Sequence, residues 1–294
     1  MKQTDVYRHI AAQRPHMSKS QKKIAEYILE NPNAVPFYTV SKLAKMTGVS
    51  EATIVRFATF LGYSGYPEMQ QYMLDSVEKQ LTTAERLEMS KSVYNEEEKG
   101  IYEIFQDDIA NIRTTMETLD VTALQRAADT LLSRDKIYIV ASRSAVSLGF
   151  FLHYYLDMML GNCEMVQAAD SVYERLESLN QNDVVVGLSF ARYTRKTIDI
   201  VSFAKDRGAA TIAITDNLLS PLVPFSDITL LSSSQMPTFL DSFVGPLSLI
   251  NALIAYVGKQ KGQELHRRLN KLEDIWERFD VFYHKEEDRN TAEK

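Results

Sequence analysis

Two short segments of the sequence combine hydroxyl side chains with an arginine, a set of groups suited to binding anions. They are Ser142-Arg143-Ser144 and the stretch that carries Ser189, Arg192 and Thr194. Hydroxyls and free backbone N–H groups at a helix start form an anion cradle at the positive end of the helix dipole. A guanidinium adds bidentate recognition of phosphate or carboxylate. Serine and threonine also cap helices, and arginines form surface ion pairs, so a structural role for each residue stays open.

The elements around these segments predict that they lie side by side. Short β-branched runs occupy 137–141, 183–188, 210–215 and 228–231, and amphipathic helical stretches lie between them at 144–160, 194–207 and 241–260. This alternation predicts a parallel sheet covered by helices on both faces, an α/β/α arrangement. The carboxyl ends of parallel strands share one edge, where crevices form. Ser232-Ser233-Ser234 follows the last run and is a further candidate for lining that crevice.

A second candidate site lies near the N-terminus, in the segment TVSKLAKMTGVSEATIVRF at 39–57. Thr39 is placed to cap one helix, Gly48 to end it, and Ser50 to cap the next. Two helices joined by a tight turn are the geometry that lets the second enter a DNA major groove. A generic helical hairpin with a solvated face is the alternative.

The faces of the second helix predict which side chains would meet DNA. Ile54, Ala58 and Leu61 share one face, so Ala52 and Arg56 project from the other, where Arg56 could reach a guanine or a phosphate. Backbone N–H groups and side chains at the start of the preceding helix are natural phosphate contacts. The predicted DNA-binding residues are Thr39, Ser41, Lys42, Ser50, Glu51, Ala52, Thr53 and Arg56.

Composition and charge agree with a two-part protein. The chain has 294 residues, 45% of them apolar and 24% charged, and a formal net charge of −6. Residues 1–77 contain nine Lys/Arg and six Asp/Glu, so they carry about +3 while the remainder is acidic. A mildly basic head on an acidic body suits a regulator whose head alone contacts DNA phosphates.

Several classes of protein are not expected. The longest apolar stretches are too short to span a bilayer, and the N-terminus lacks the apolar core of a signal peptide, which predicts a cytoplasmic protein without membrane contact. Cys163 is the only cysteine and the five histidines are dispersed, so neither a disulfide nor a metal site is expected. No P-loop or nucleophile-elbow motif is present, and no cofactor is predicted.

Four segments follow from these patterns. We expect a helix-turn-helix domain at 1–77, a helical linker at 78–105, an α/β ligand-binding domain at 106–263, and a C-terminal helix with a frayed tail at 264–294. Phe239–Phe243 is expected to begin the helix of 241–260 and to serve in subunit packing.

The N-terminal segment resembles the DNA-binding domain of RpiR-type transcriptional regulators. The resemblance rests on the first helix SQKKIAEYILENP, on T-x-S-x-L-A from Thr39, on V-S-x-x-T-[IV]-x-R-F from Val49, and on L-G-[YF]-x-G-[YF]-P-E from Leu61. These elements occur in order over some fifty residues. The resemblance implies that the α/β part is a sugar isomerase (SIS) domain, which in that family holds phosphorylated sugars across the carboxyl ends of its strands.

The two loops depart from the glycine-rich pattern of SIS domains. The G-x-G-x-S element becomes Val140–Ser144 without either glycine, and in S-x-S-G-x-T the glycine becomes Arg192 and the second serine Ala191. Losing those glycines should restrict close approach of the backbone to a ligand. The arginine forms, followed by T-D-x-x-x-S-P-L from Thr215, resemble one branch of these regulators.

The sequence therefore predicts a regulator whose operator binding responds to an anionic sugar, with no turnover. Its partners would be double-stranded, palindromic operator DNA, the sugar effector, and further copies of the chain in a homodimer or homotetramer. Two alternatives remain. An isomerase would need a general base, for which His153, Glu164 and Glu174 are candidates outside any defensible motif. An empty SIS scaffold that only oligomerises is the other.

Overall fold

The computed structural model describes residues 6–32, 34–78, 82–93, 97–166, 174, 176–236 and 238–283. Within these ranges the chain forms a helical head and an α/β body with separate hydrophobic cores. No helix in the described part of the chain is long and apolar enough to cross a membrane.

Five helices build the head: α1 (Val6–Gln13), α2 (Lys19–Glu30), α3 (Val40–Thr47), α4 (Glu51–Phe60) and α5 (Tyr66–Glu78). Ser18 begins α2 with a capping box, because its hydroxyl accepts from the Gln21 N–H while the Gln21 side chain accepts from the Ser18 N–H. Each helix buries one apolar stripe, which includes Ile10, Ile28, Leu43, Ile54 and Met69. The helix α1 lies outside the elements that we predicted.

Two helices connect head and body. The first, α6, is Thr83–Val93, and the second, α7, is Glu97–Glu117. Position 105, where we placed the end of the linker, lies inside α7. The polar face of α7 forms hydrogen bonds with the segment that follows the last strand. Asn111 Nδ2 donates to Gln235 O over 2.6 Å, and the Ser233 N–H donates to Thr115 Oγ1 over 3.0 Å.

The body contains a five-stranded, entirely parallel sheet in the order β2-β1-β3-β4-β5. Its strands are β1 (Ile137–Ala141), β2 (Cys163–Val166), β3 (Val184–Leu188), β4 (Ala210–Thr215) and β5 (Ile228–Leu231). We did not predict β2. It is only four residues long and Glu164 interrupts it, so no continuous apolar run marks it.

Helices cover both faces of the sheet, as the α/β/α prediction requires. One face packs on α8 (Val121–Ser133), α9 (Val146–Leu160) and α11 (Val244–Arg278), and the other on α10 (Arg195–Asp206). The prediction that Phe239–Phe243 begins a helix is wrong, since α11 starts at Val244. Gly262 interrupts α11 with φ 49° and ψ −120°, and the tail with Trp276 follows this break. The last ten residues, predicted to fray, lie outside the described residues.

Candidate DNA-binding and effector sites

The turn between α3 and α4 has the geometry of a helix-turn-helix. Thr39 Oγ1 accepts from the Lys42 N–H over 3.2 Å and so caps α3, as predicted. Gly48 ends α3 with φ 63°, and its N–H donates to the carbonyls of Ala44 and Lys45. The Val49 N–H donates to Ala44 O over 3.0 Å, which closes the turn.

The outer face of α4 is open to a partner. Ser50, Glu51, Ala52 and Arg56 are exposed, Thr53 is partly buried, and Ile54, Phe57 and Ala58 are buried beneath them. Ser50 precedes α4 as predicted, but its hydroxyl bonds Thr53 Oγ1 at 2.8 Å instead of capping a backbone N–H. Arg56 Nη2 donates to the same Thr53 oxygen over 3.2 Å, which holds the guanidinium against the first turn of the helix. This surface can make base-edge contacts.

The start of α3 is partly covered by α7. Ser41 is exposed and Thr39 partly buried, whereas the Lys42 side chain is only 15% exposed, with its Nζ 3.8 Å from Glu103 Oε2. Burial lowers the pKa of Lys42, and Asp107 and Glu103 oppose that shift. A groove of about 610 Å³ separates α3 and α4 from α7. The phosphate contact that we predicted for Lys42 therefore requires the head to move away from α7.

The two loops that we predicted to bind an anion begin next to each other. Ala141 and Leu188 are register partners, so Ser142 and Ser189 follow at the same level of the carboxyl edge. Ser142 Oγ lies 3.0 Å from Thr197 Oγ1 of α10, which joins the first loop to the helix that follows the second. Ser189 Oγ accepts from the Thr194 N–H over 3.3 Å. Thr194 is the N-cap residue of α10 and no side-chain capping bond forms there, so the Ser189 bond closes the loop before the helix. Ser144 is exposed.

Both arginines occupy the left-handed region of backbone conformation. Arg143 has φ 56° and Arg192 has φ 62°, a region in which a non-glycine residue costs roughly 1–2 kcal/mol. Arg192 thus adopts a backbone conformation that is typical of the glycine in the family pattern. The loss of that glycine therefore appears as backbone strain at Arg192. Both side chains are exposed. Strained backbone in two loops at one edge of a sheet is typical of ligand-binding sites.

A buried polar network beside the second loop contains residues that sequence reasoning did not single out. Tyr193 Oη donates to Asp216 Oδ1 over 2.8 Å, and Asn217 Nδ2 donates to Tyr193 Oη over 2.7 Å. Thr215 Oγ1 also bonds Asp216 Oδ1 at 3.1 Å. Burial raises the pKa of Asp216 to about 6, with a smaller contribution from Asp241, against the lowering effect of these hydrogen bonds.

The linker helix α6 contacts the same edge, which nothing in its sequence predicted. Arg192 Nη1 donates to Thr83 Oγ1 at the start of α6. One turn later Arg86, only 2% exposed, donates through Nη2 to Asp241 Oδ1 over 2.8 Å and to Leu240 O over 3.3 Å. Its guanidinium carbon also lies 5.5 Å from the ring centroid of Phe37 in the head. Arg86 therefore connects head, linker and body.

Of the candidate general bases, Glu164 lies away from this edge and Glu174 is exposed. Glu164 is the register partner of Tyr138 near the amino ends of β2 and β1, away from the carboxyl edge. His153 lies on α9, where its Nδ1 is buried without a hydrogen-bond partner among the described residues. No group of three potential metal ligands occurs in the part of the chain that the structure describes.

Comparisons with known proteins agree with both halves of this description. The chain matches the model for the helix-turn-helix domain of the rpiR family over residues 4–80 and the model for the SIS domain over 130–256. It is 28% identical to an uncharacterized HTH-type transcriptional regulator of Caldanaerobacter subterraneus, over 92% of this chain and 97% of that protein. It is 25% identical to the HTH-type transcriptional regulator HexR of Escherichia coli, over 92% of this chain and 94% of HexR.

Solved structures show the same fold. The sugar isomerase domain of an RpiR transcription factor from Sphaerobacter thermophilus matches with a TM-score of 0.57 and 22% identity, over 59% of this chain and 97% of that chain. The Vibrio vulnificus NanR protein complexed with ManNAc-6P matches with a TM-score of 0.56 and 20% identity, over 95% of this chain and 100% of NanR. With an rpiR-type helix-turn-helix followed by a SIS domain, the chain belongs to the RpiR-type transcriptional regulators.

Proposed function

We propose that this regulator acts in the cytoplasm, binds operator DNA through the outer face of α4, and responds to a phosphorylated or otherwise anionic sugar at the carboxyl edge of the body sheet. By this proposal it controls genes of carbohydrate metabolism. The observation that carries it is the bond from Arg192, in an anion-binding loop, to Thr83 of the linker. It joins the effector edge of the body to the helix that leads to the DNA-binding head.

The effector class is supported by the chemistry of the edge. Arg143 and Arg192 offer guanidiniums to an anion, and the nearby hydroxyls of Ser142 and Ser144 are suited to a phosphate or carboxylate. The NanR structure, of the same fold, contains ManNAc-6P, which makes that compound a sensible first probe here. An effector regulates DNA binding only to the extent that it binds the competent and incompetent arrangements differently.

Operator recognition by two heads is part of this proposal. Large apolar side chains are exposed along α7, which is more apolar surface than an unpartnered helix usually presents; they are Ile101, Tyr102, Phe105, Ile109 and Met116. A second copy of the chain that covers them would place two heads on one DNA, and such a dimer favours a palindromic site. Light scattering of the purified chain, with footprinting on its upstream region, tests both points.

DNA binding is tested by Arg56→Ala in fluorescence anisotropy with the upstream region of the gene at fixed salt. We expect specific affinity to fall by about 5- to 150-fold, because a good arginine–base contact is worth roughly 1–3 kcal/mol. Lys22→Ala removes an exposed cation from α2, a helix outside the predicted DNA-binding residues, and is the matched control. Equal affinities for the two variants would remove the outer face of α4 from the mechanism.

Effector binding is tested by thermal shift with ManNAc-6P, glucose 6-phosphate and 6-phosphogluconate, each beside its unphosphorylated form. Stabilisation by a phosphorylated member that Arg143→Ala and Arg192→Ala weaken supports the proposal. Product formation with the same compounds, lost in a His153→Ala variant, would favour the isomerase alternative. Absence of any stabilisation would favour an empty scaffold.

A further inference from the structure

The linker helix α6 lies across the carboxyl end of β4. Its first residue, Thr83, contacts the loop after β3 through Arg192, and its Arg86 contacts Asp241 in the segment after β5. The sheet order places β4 between β3 and β5. The helix therefore spans the part of the edge where Asp216 and Asn217 follow β4.

A cavity of about 390 Å³ lies beneath this crossing. The body contributes Asp216, Asn217 and the segment 232–236, the linker contributes Arg86, and the head contributes Phe37 and Pro67 among others. Small-molecule sites in proteins are cavities of roughly 300–1,000 Å³ with a few well-placed polar groups, so the space suits a ligand of hexose size. All three parts of the chain form its wall.

One buried polar atom on this wall, Arg86 Nε, has no hydrogen-bond partner among the described residues. Ser234 also lines the cavity, and the residue is only 4% exposed. The side-chain hydroxyls that bond the Asp216 carboxylate both reach Oδ1. Buried polar groups in native proteins are nearly always hydrogen-bonded, so an unpartnered one beside a cavity points to a missing ligand.

The charges indicate which part of a ligand belongs there. Arg86 is already paired with Asp241, and Asp216 adds a second carboxyl, so the cavity does not favour an anion. Hydroxyl, amide and carboxyl groups match the donors and acceptors of a polyol, and the apolar side chains that also line the cavity, among them Leu218, Leu219 and Met236, suit the C–H surface of a sugar. The guanidiniums of Arg143 and Arg192 stand outside, on the loops where the proposed function places the anionic group.

We propose that this interdomain cavity binds the polyhydroxy part of the anionic sugar, and that Arg86 of the linker and Ser234 of the body are effector-contacting residues. The inference rests on the proposed function and deepens it. The effector site is then completed by the linker and the head, so that occupation changes the contacts that fix the head on the body. An effector that contacted only body residues would not directly change the contacts between the body and the DNA-binding head.

The test is a comparison of two probes on the full chain by calorimetry. Inorganic phosphate samples the anion loops alone, whereas ManNAc-6P, glucose 6-phosphate and 6-phosphogluconate sample loops and cavity together. We expect Ser234→Ala to weaken the best sugar phosphate by about three- to ten-fold, the value of one hydrogen bond, and to leave inorganic phosphate unchanged. Arg192→Ala should weaken both probes. Ser133→Ala, an exposed serine at the amino edge of the sheet, is the control.

A second variant, Arg86→Lys, keeps the positive charge but loses the planar guanidinium. We expect it to weaken the sugar phosphate selectively and to reduce the change in DNA affinity that the sugar phosphate causes. If sugar phosphates bind and respond to Arg192→Ala but not to Ser234→Ala or Arg86→Lys, the proposed function stands and this inference is overturned. If no sugar phosphate binds the unaltered chain, the proposed effector and this inference are both overturned. Should Arg86→Lys misfold, the Ser234→Ala comparison decides alone.

Discussion

The two arginine loops of the body have the same backbone conformation and different neighbours. Arg143 and Arg192 both lie in the left-handed region, Arg143 two residues after the end of β1 and Arg192 four residues after the end of β3. The side chain of Arg143 has no polar partner among the described residues, whereas Arg192 bonds Thr83 of the linker. Of the two loops that we propose to bind an anion, only the loop after β3 therefore also connects the body to the linker.

This difference separates residues that would add affinity for the effector from residues that would pass its effect to the DNA-binding head. A ligand that contacts Arg143 gains affinity without disturbing any described contact of the head or linker. A ligand that draws Arg192 away from Thr83 changes a contact of α6, the helix that carries Arg86 to the head. Two residues of the same type, on the same edge, can thus serve affinity and regulation separately.

The largest effect on stability is expected from Gly187→Ala, which tests how tightly the strand before the second loop packs against α10. Gly187 on β3 is the register partner of Val140 on β1, and a methyl group there would lie 2.5 Å from Val201 Cγ2 of α10. Such overpacking costs about 1–3 kcal/mol, so we expect the body to unfold at a markedly lower temperature. At Gly65 an added Cβ meets Pro67 at an ordinary 3.6 Å, so Gly65→Ala is the control. Similar stability of the two variants would mean that α10 shifts enough to accommodate the added methyl group.

A pH-dependent effect of comparable size is expected at Asp216, beneath the second loop and near Asp241. Its pKa is raised from 3.8 to about 6, so the folded state holds this proton more tightly than the unfolded state. The resulting cost is absent below pH 4, grows as pH rises to about 6, and reaches on the order of 3 kcal/mol. Asp216→Asn keeps an oxygen for Tyr193 and Thr215 but does not ionise.

Denaturant unfolding of the unaltered chain and of Asp216→Asn across pH 4–7 measures this cost. The stability of the unaltered chain relative to the variant should fall with rising pH. Asp227, whose pKa is lowered with Lys205 and Thr211 as partners, contributes the opposite slope in both proteins and cancels in the difference. A difference that stays flat would show that the carboxyl of Asp216 is better solvated than its burial indicates.

The smallest expected effect compares Arg143→Gly with Arg192→Gly. Glycine relieves the left-handed strain at either position, and its greater freedom in the unfolded chain offsets part of that gain. These backbone effects are alike in the two variants. Arg192→Gly also loses the bond to Thr83, so we expect it to be about 0.5–1 kcal/mol less stable than Arg143→Gly. Identical unfolding curves would show that the Arg192–Thr83 hydrogen bond does not contribute to the stability of the folded chain.

Local signals predicted the head well. The Thr39 cap, the Gly48 stop and the buried face of α4 depend on residues within a turn or two of each other, so periodicity and capping rules suffice. The parallel sheet was predictable for the same reason, because four of its strands are continuous apolar runs. The edge strand β2 was missed since its residues lack that pattern.

The covering of the effector edge could not be predicted. Arg86 and Asp241 are 155 positions apart, and no local pattern marks either as a partner of the other. The contact of Lys42 with Glu103 likewise depends on how head and body pack, not on the turn that places Lys42 at the start of α3. Residue types alone led to the prediction that both loops bind anions, but they did not indicate which loop contacts the linker.

The contact between Lys42 and Glu103 has a consequence for how DNA binding depends on salt. A lysine that neutralises a phosphate normally releases about 0.9 of a condensed cation and steepens the salt dependence accordingly. To make the predicted phosphate contact, Lys42 must leave Glu103 Oε2, which lies 3.8 Å from its Nζ. Salt screens the Lys42–Glu103 pair as well as the pair between Lys42 and a phosphate, so the two salt effects oppose each other. The regulator should therefore hold its operator over a wider range of ionic strength than its number of DNA-facing cations implies.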